Sequence, residues 1–502
     1  MPFRSIGFSS ARLPSSSRVG LLAGAAFCAL AAAAAAADRP ATSEGAQKLT
    51  AFFATYMGAA PAGGPPALVV TPEGADYLVA IDLVAATAPL KAAGISYDPA
   101  TLKFKVIEQD DDAWRVESAD IPPISSHQPH GSSTMEVTGY KGVSVIDPAT
   151  SWFRAASGGA DKVALHVRTD VGVDETINAA ALQVTGKGSA GADGSASSVF
   201  HESATDVGVS IVVTPKAGEP GADPKTVTAT ARIDRVAADI SLDGLKTEAA
   251  LALWAFLVAH PSRADLAANE PALKALANAA ATSVLKLNEA INVQKIAVET
   301  PRGLIAIDTA KVGIGAAAGA RGAFEEHIAF DGLALPATMV PPLYHDFTPT
   351  SADIGFKASG FDVAAASAEA IADLHLAGEA PPLSPADRAK VSKTLFGAGP
   401  VTIDIPPSHI RAPRLDVSFE GQIHYQSGHP YGAVTIHMRN FDDTVGALKT
   451  LGPETERKLV TVIGMAKGLA KQDPDGALSW VAELGQDGMM KVNGLPLGKA
   501  PL

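Results

Sequence analysis

Residues 291–314 read INVQKIAVETPRGLIAIDTAKVGI. Ile291–Val298 and Leu304–Ile314 are rich in β-branched residues and bracket Thr300-Pro301-Arg302-Gly303. Proline suits the second position of a type I turn and glycine the fourth, so the stretch predicts two antiparallel strands joined by a tight turn. Similar punctuation recurs. Thr71-Pro72-Glu73-Gly74 precedes the alternating run Asp76–Leu83, and Pro430-Tyr431-Gly432 precedes Val434-Thr435-Ile436. The unequal spacing of these turns excludes a fixed-period solenoid. Two readings stay open: hairpin chemistry recurring by chance, or two related β-rich halves joined near 258–271. The second gives an N-terminal half over 38–258 and a C-terminal half over 259–502.

Working outward, period-2 alternation predicts strands over Thr101–Ile107, from Trp114, and over Val163–Val167, Val209–Thr214, Thr226–Ala231 and Val236–Leu242. The C-terminal part adds Val401–Ile405, Leu415–Tyr425 and Ala433–Met438, with a short strand and turn over 488–497. Gln109–Asp112 reads as a solvated turn, Gly186–Ser198 as a mobile Gly/Ser loop, and Gly218–Pro224 as a turn. Helical patterns cover Gln47–Met57, Leu245–Ala259, Pro271–Leu287, a segment from Ser384 to about Gly397, and Pro453–Lys471. Thr42 or Ser43 can cap the first, which either packs on a core or faces a membrane. Aspartates in Leu242-Asp243-Gly244, Phe330-Asp331-Gly332, Phe361-Asp362-Val363 and Phe441-Asp442-Asp443 stand where an N-cap is useful. The pattern as a whole is α+β: a predominantly antiparallel, curved sheet of hairpins and meanders with several packed helices.

The N-terminus carries an address. Arg4, Arg12 and Arg18 form a basic, acid-free region, an apolar run follows from Val19 to Ala37, and Asp38 restores polarity. This is the order of a secretory signal peptide over 1–37, cleaved after Ala37, and it predicts a periplasmic protein. The run nears the length of a bilayer span, so an uncleaved inner-membrane anchor is the rival. Cys28, the one cysteine, lies inside this segment, so thiolate and disulfide chemistry are excluded from the mature chain. Losing the three arginines takes the formal charge from −13 to −16. An acidic chain without a basic run is a poor match for nucleic acid or an anionic membrane surface, so any lipid contact must be apolar.

Motifs for chemistry are weak. No Gly-x-Ser-x-Gly elbow occurs, and Ser283-x-x-Lys286 lies in a predicted helix without its partner motifs. Gly313-Ile314-Gly315 followed by alanines reads as a Gly/Ala loop and not a dinucleotide fingerprint. His424, His429 and His437 fall on one predicted hairpin, where 424 and 437 can face each other, but no carboxylate–histidine pattern supports a metal. No catalytic residue, metal or cofactor is assigned.

The stretch Phe419-Glu420-Gly421 through Pro430-Tyr431-Gly432 to Asn440-Phe441-Asp442, with the ending Met490-Lys491-Val492-Asn493-Gly494-Leu495-Pro496-Leu497-Gly498, resembles a known group. These are the uncharacterised YdgA-like envelope proteins of proteobacteria, a domain of unknown function, and the strand repeat of AsmA-like envelope proteins over 415–448. The resemblance is clearest over 400–498. It implies a periplasmic, strand-rich protein concerned with lipid or outer-membrane upkeep, and it carries over no catalytic residues.

The expectation is therefore a periplasmic, non-enzymatic envelope protein that binds a hydrophobic ligand such as lipid. Helices covering only part of the sheet would leave an apolar groove, with Val417, Phe419, Ile423, Val434 and Ile436 as its lining. The alternatives are a module binding other envelope proteins by strand addition and, third, an unrecognised hydrolase.

Overall fold

A computed structural model describes residues 39–57, 66–110, 112–147, 150–191, 193–214, 226–281, 286–378, 381–397, 399–426, 429–449 and 464–499. The expected signal peptide and the Gly218–Pro224 turn lie outside these residues.

The chain begins with α1 (Ser43–Ala54), whose N-cap Thr42 accepts from the Gly45 N–H at 3.0 Å. Then come β1 (Leu68–Glu73), β2 (Asp76–Asp82), the short α2 (Leu83–Ala86), β3 (Ser96–Tyr97), β4 (Thr101–Glu108), β5 (Trp114–Ala119), β6 (Ile124–Gln128), β7 (Gly131–Thr138) and β8 (Lys141–Asp147). Here α1 packs on a sealed core. Ala46 and Leu49 meet Leu68, Tyr77, Val79, Val106 and Val116, and the Phe53 ring stands edge-on to Phe104 at 5.9 Å. Packing on the core, the blander reading of this helix, is what its apolar stripe does. Arg39 closes the β4–β5 turn by donating to Glu108 at 3.0 Å and Asp112 at 2.7 Å.

A meander of long strands follows: β9 (Trp152–Thr169), β10 (Val173–Ala190), β11 (Ala196–Val213), β12 (Val227–Leu245), β13 (Lys286–Thr300), β14 (Gly303–Ala317), β15 (Gly322–Asp331), β16 (Ser351–Phe361), β17 (Val401–Ala412), β18 (Leu415–Gln426) and β19 (His429–Arg439). The chain finishes with β20 (Lys471–Gln472), β21 (Leu478–Leu484), β22 (Met489–Val492) and β23 (Leu495–Lys499). Every pairing is antiparallel, and from β9 to β19 each strand pairs with the next along the chain. Then β19 pairs β21, and the β21–β22–β23 hairpins follow. At the other end β7 and β8 share one side of β9, and β8 leads through β5 and β4 to β2 and β1. The fold is a large, open, mostly antiparallel sheet with helices, as the hairpin chemistry predicts.

Two helical insertions interrupt the meander. Between β12 and β13 lie α3 (Thr247–Ala259), α4 (Arg263–Ala268) and α5 (Glu270–Ala281); between β16 and β17 lie α6 (Val363–Ala372) and α7 (Pro385–Gly397). The expected division at 258/259 falls at the end of α3, and β12 and β13 pair with one another across the insertion. Both insertions leave from one end of the sheet, because the cross-strand row Asp243, Lys286, Ala317, Ala323, Ser359, Thr402 marks that end in every strand between them. The helices join into a rim there. Lys274 Nζ donates to the Ala372 carbonyl at 2.9 Å, Lys390 bridges Glu369 and Asp373 at 2.8 and 2.9 Å, and the Phe361 and Phe396 rings meet at 5.8 Å. Ser384 and Asp387 form a reciprocal capping box, and Asp362 caps α6 through the Ala365 N–H at 2.9 Å. A further helix, α8 (Phe441–Lys449), follows β19 at the opposite end.

Several expectations are corrected. Within Gly186–Ser198, residues 186–190 and 196–198 are strand: Gly186 pairs Phe200 and Gly188 pairs Ser198. Its glycines allow close approach, since a Cβ on Gly188 would run into the Phe153 carbonyl. Gly313–Ala317 likewise belongs to β14, where the Glu325 side chain fills the space a Cβ of Gly315 would take. Pro430-Tyr431-Gly432 is not a turn but lies within β19. Gly432 has φ +147°, and its missing Cβ leaves room for the Gln422 carbonyl of β18. The helix predicted over 271–287 ends at Ala281, and Lys286 and Leu287 open β13. Of the helix predicted over 453–471, residues 453–463 lie outside the described residues, 464–469 are helical as expected, and Lys471 is strand. His424 and His437 do not face each other: His424 pairs Tyr431 and His437 pairs Ser418. Asp243 does not cap α3, whose N-cap is Lys246.

Candidate functional site

Directly paired residues of an antiparallel sheet point to the same face, so the register shows what each face is made of. One row runs Ala204, Val236, Val293, Ala310, Phe330, Ala352, Ile410, Val417, Met438, Leu478 from β11 to β21. Every member is apolar. A second row on the same face runs Leu242, Leu287, Ala316, Phe324, Ala358, Ile403, Ile423. The alternate row Ser203, Ala237, Asn292, Lys311, Ala329, Asp353, His409, Ser418, His437 is largely polar. The polar face is also stitched by histidine–aspartate pairs, His327–Asp353 at 2.7 Å and His437–Asp473 at 2.7 Å. The Ser479 hydroxyl and then His437 hold the Asp473 carboxyl below its ordinary range.

The apolar face survives a break in the alternation. In β13 the apolar positions are odd through 287, 291 and 293, then even through 296 and 298. Between them Lys295 has φ +53°, and Asp206 of β11 (φ +50°) stands at the same level. A left-handed residue takes up one step of the strand, so the apolar side chains return to the face they left. Lys295 donates to Asp308 at 2.6 Å at this level. That contact, with Asp234 adding a smaller attraction, raises its ammonium pKa.

This face is not sealed. The helices gather at the sheet end, and in mid-sheet Ile314, Phe324, Ile328, Ile354 and Phe356 stay 37–46% exposed. The rings of Phe324 and Phe356 lie 5.9 Å apart. A cleft of about 800 Å³ crosses the same strands on the opposite side of the sheet, lined chiefly by residues of the polar rows such as Asp239, Ser241, Asn288, His327, Lys357 and Asp404. The other large cleft, about 890 Å³, follows the polar row Asp404, Gln422, Ala433, Glu483, Lys491. Its lining matches no apolar ligand, so the exposed apolar side chains, not cleft size, mark the candidate site.

Val417, Phe419, Ile423, Val434 and Ile436 all fall on the apolar face. Val417 pairs Met438, Phe419 pairs Ile436, Gly421 pairs Val434 and Ile423 pairs Gly432. All five are half-buried, neither sealed nor freely exposed. The larger, more exposed part of the face in β14–β16 emerges only from the register.

Glu202, Glu289 and Glu326 interrupt the apolar face. Glu289 and Glu326 flank Ile314 in the row Phe200, Ile240, Glu289, Ile314, Glu326, Phe356. Glu202 pairs Val184 and Ala238. Burial pushes its carboxyl pKa up, and the Glu289 carboxylate adds to the rise. A carboxyl whose folded pKa exceeds its unfolded one supports the fold at low pH and loses that support as pH rises through the folded value. Glu202→Gln should therefore melt higher than the wild type at neutral pH and equally below the carboxylate range, as pH-resolved thermal melts will show.

Among the described residues no three His, Cys, Asp or Glu side chains gather as a metal site, and no helix is long and apolar enough to cross a membrane. A family model described as an uncharacterized protein conserved in bacteria (DUF2125) matches residues 224–501. The chain belongs to this family. The match takes in β12 to β23, hence most of the apolar face; it bears out an uncharacterised bacterial family and names neither the YdgA-like nor the AsmA-like group. No curated protein matches the chain, and no solved structure does.

Proposed function

We propose that this DUF2125 protein is an exported, non-enzymatic component of the bacterial envelope that holds a hydrophobic ligand, such as a lipid, along the open apolar face of its meander. One observation carries the reading: on the apolar face of the meander Ile314, Phe324, Ile328, Ile354 and Phe356 of β14–β16 stay 37–46% exposed. Large exposed apolar patches mark binding sites on soluble proteins. The leader-like N-terminus and the resemblance to YdgA-like and AsmA-like envelope proteins support a periplasmic setting. Mass spectrometry of protein purified from the periplasm should find a co-purifying lipid. Repeated recovery of lipid-free protein that also fails to take up a fluorescent fatty acid would refute the reading.

Strand addition is the second reading. Among the described residues β23 pairs only with β22, and it exposes Leu495 (53%) and Leu497 (50%). A single stoichiometric protein partner, lost when 495–499 is disrupted, would favour it.

A further inference from the structure

The helical rim carries a second apolar surface. After Glu248, α3 continues Ala249-Ala-Leu-Ala-Leu-Trp-Ala-Phe-Leu-Val-Ala259 with no polar side chain. A helix apolar all round belongs in a core or in lipid. Yet none of these eleven residues is buried; Trp254 is 51% and Leu257 37% exposed. The Trp254 indole N–H is already satisfied by the Tyr56 carbonyl at 3.1 Å, at the C-terminal end of α1. The ring therefore presents apolar surface with its one polar atom accounted for, the character of tryptophan at a membrane interface.

The sequence indicates what covers it. The apolar run Val19–Ala37 ends two residues before Arg39, which is fixed on the β4–β5 turn, and α1 begins four residues later. One helix of about 18 Å then separates that entry from Tyr56 and α3. We infer that α3 docks on the surface of the membrane to which the leader-like N-terminus directs the chain, inserting Trp254 and Leu257 among the acyl chains at the interface. With a net charge of −13, the chain has no general attraction to anionic lipid, so the contact is apolar and suits a zwitterionic surface.

The test uses the full chain with phosphatidylcholine vesicles whose acyl chains carry bromine, a contact quencher of tryptophan. Wild type should lose emission relative to plain vesicles, and Trp254→Phe should lose clearly less, the remainder coming from Trp480, which pairs Ile436 on the apolar sheet face. Leu257→Asp should weaken the quenching without changing emission in the absence of lipid. Equal quenching of wild type and Trp254→Phe, or no quenching of either, overturns the inference. So does a concentration-dependent dimer that Leu257→Asp abolishes, which would make α3 a contact between copies. The share of quenching that Trp254→Phe removes should be indifferent to substitutions on the sheet face such as Phe356→Asp, which separates this contact from ligand binding there.

Discussion

Phe356→Asp should fold normally and lose its hydrophobic ligand. Phe356 is 37% exposed and shares a row with Ile314 and Glu326. A carboxylate at that position keeps much of its hydration in the free protein. The cost to the fold is then the lost contact with Phe324 and its neighbours, about 1–2 kcal/mol for a partly buried aromatic. An acyl chain lying over the row would strip the water away. Burying an unpaired polar group costs at least about 2 kcal/mol, and each 1.4 kcal/mol is tenfold, so affinity should fall by roughly 30-fold or more. Phe419→Asp, half-buried on the same face in the β18–β19 hairpin, should behave alike. Circular dichroism melts and lipid extraction read the two effects separately. Loss of fold in both variants would mean that the face is core, and retention of full lipid content would mean that the ligand sits elsewhere.

How much of this was legible depends on which residues carry the signal. The hairpin at 291–314 reads directly, because Thr300-Pro301-Arg302-Gly303 brackets two β-branched runs and Thr300 pairs Gly303. The five residues of the C-terminal hairpin read as one face for the same reason of period two. What alternation cannot show is a change of phase. Lys295 adopts a left-handed conformation without being glycine or asparagine, so nothing in its identity announces the step that keeps Val293 and Ile296 on one side. Strand length was also hidden. Gly158, Gly159, Gly186 and Gly188 lack strand propensity, but neighbouring strands hold them extended and approach closely. Lys286-Leu287 suits a helix or a strand equally, and pairing of Leu287 with Leu242 decides for the strand. Glu289 and Glu326 look like ordinary outward charges in the sequence, and only the register puts them among apolar side chains.

Val79→Asp should do the opposite of Phe356→Asp, and should do it locally. Val79 is 0% exposed between Tyr77, Val106 and Val116, the sealed core beneath α1. No cation is among that cluster's residues, so an aspartate there is an uncompensated buried charge costing about 4 kcal/mol or more. That is a large part of a domain's total stability, about 5–15 kcal/mol. The topology limits how far the damage spreads. From β10 to β19 each strand is held by its neighbours in the chain, and β1 connects to β9 only through β2, β4, β5 and β8. Stability in such an array is close to a sum of nearest-neighbour terms, as in repeat proteins. Hydrogen exchange should therefore show protection lost over 39–147 and kept over 227–439 in the variant. Loss of protection throughout would show that the meander depends on the N-terminal core and folds with it as one cooperative unit.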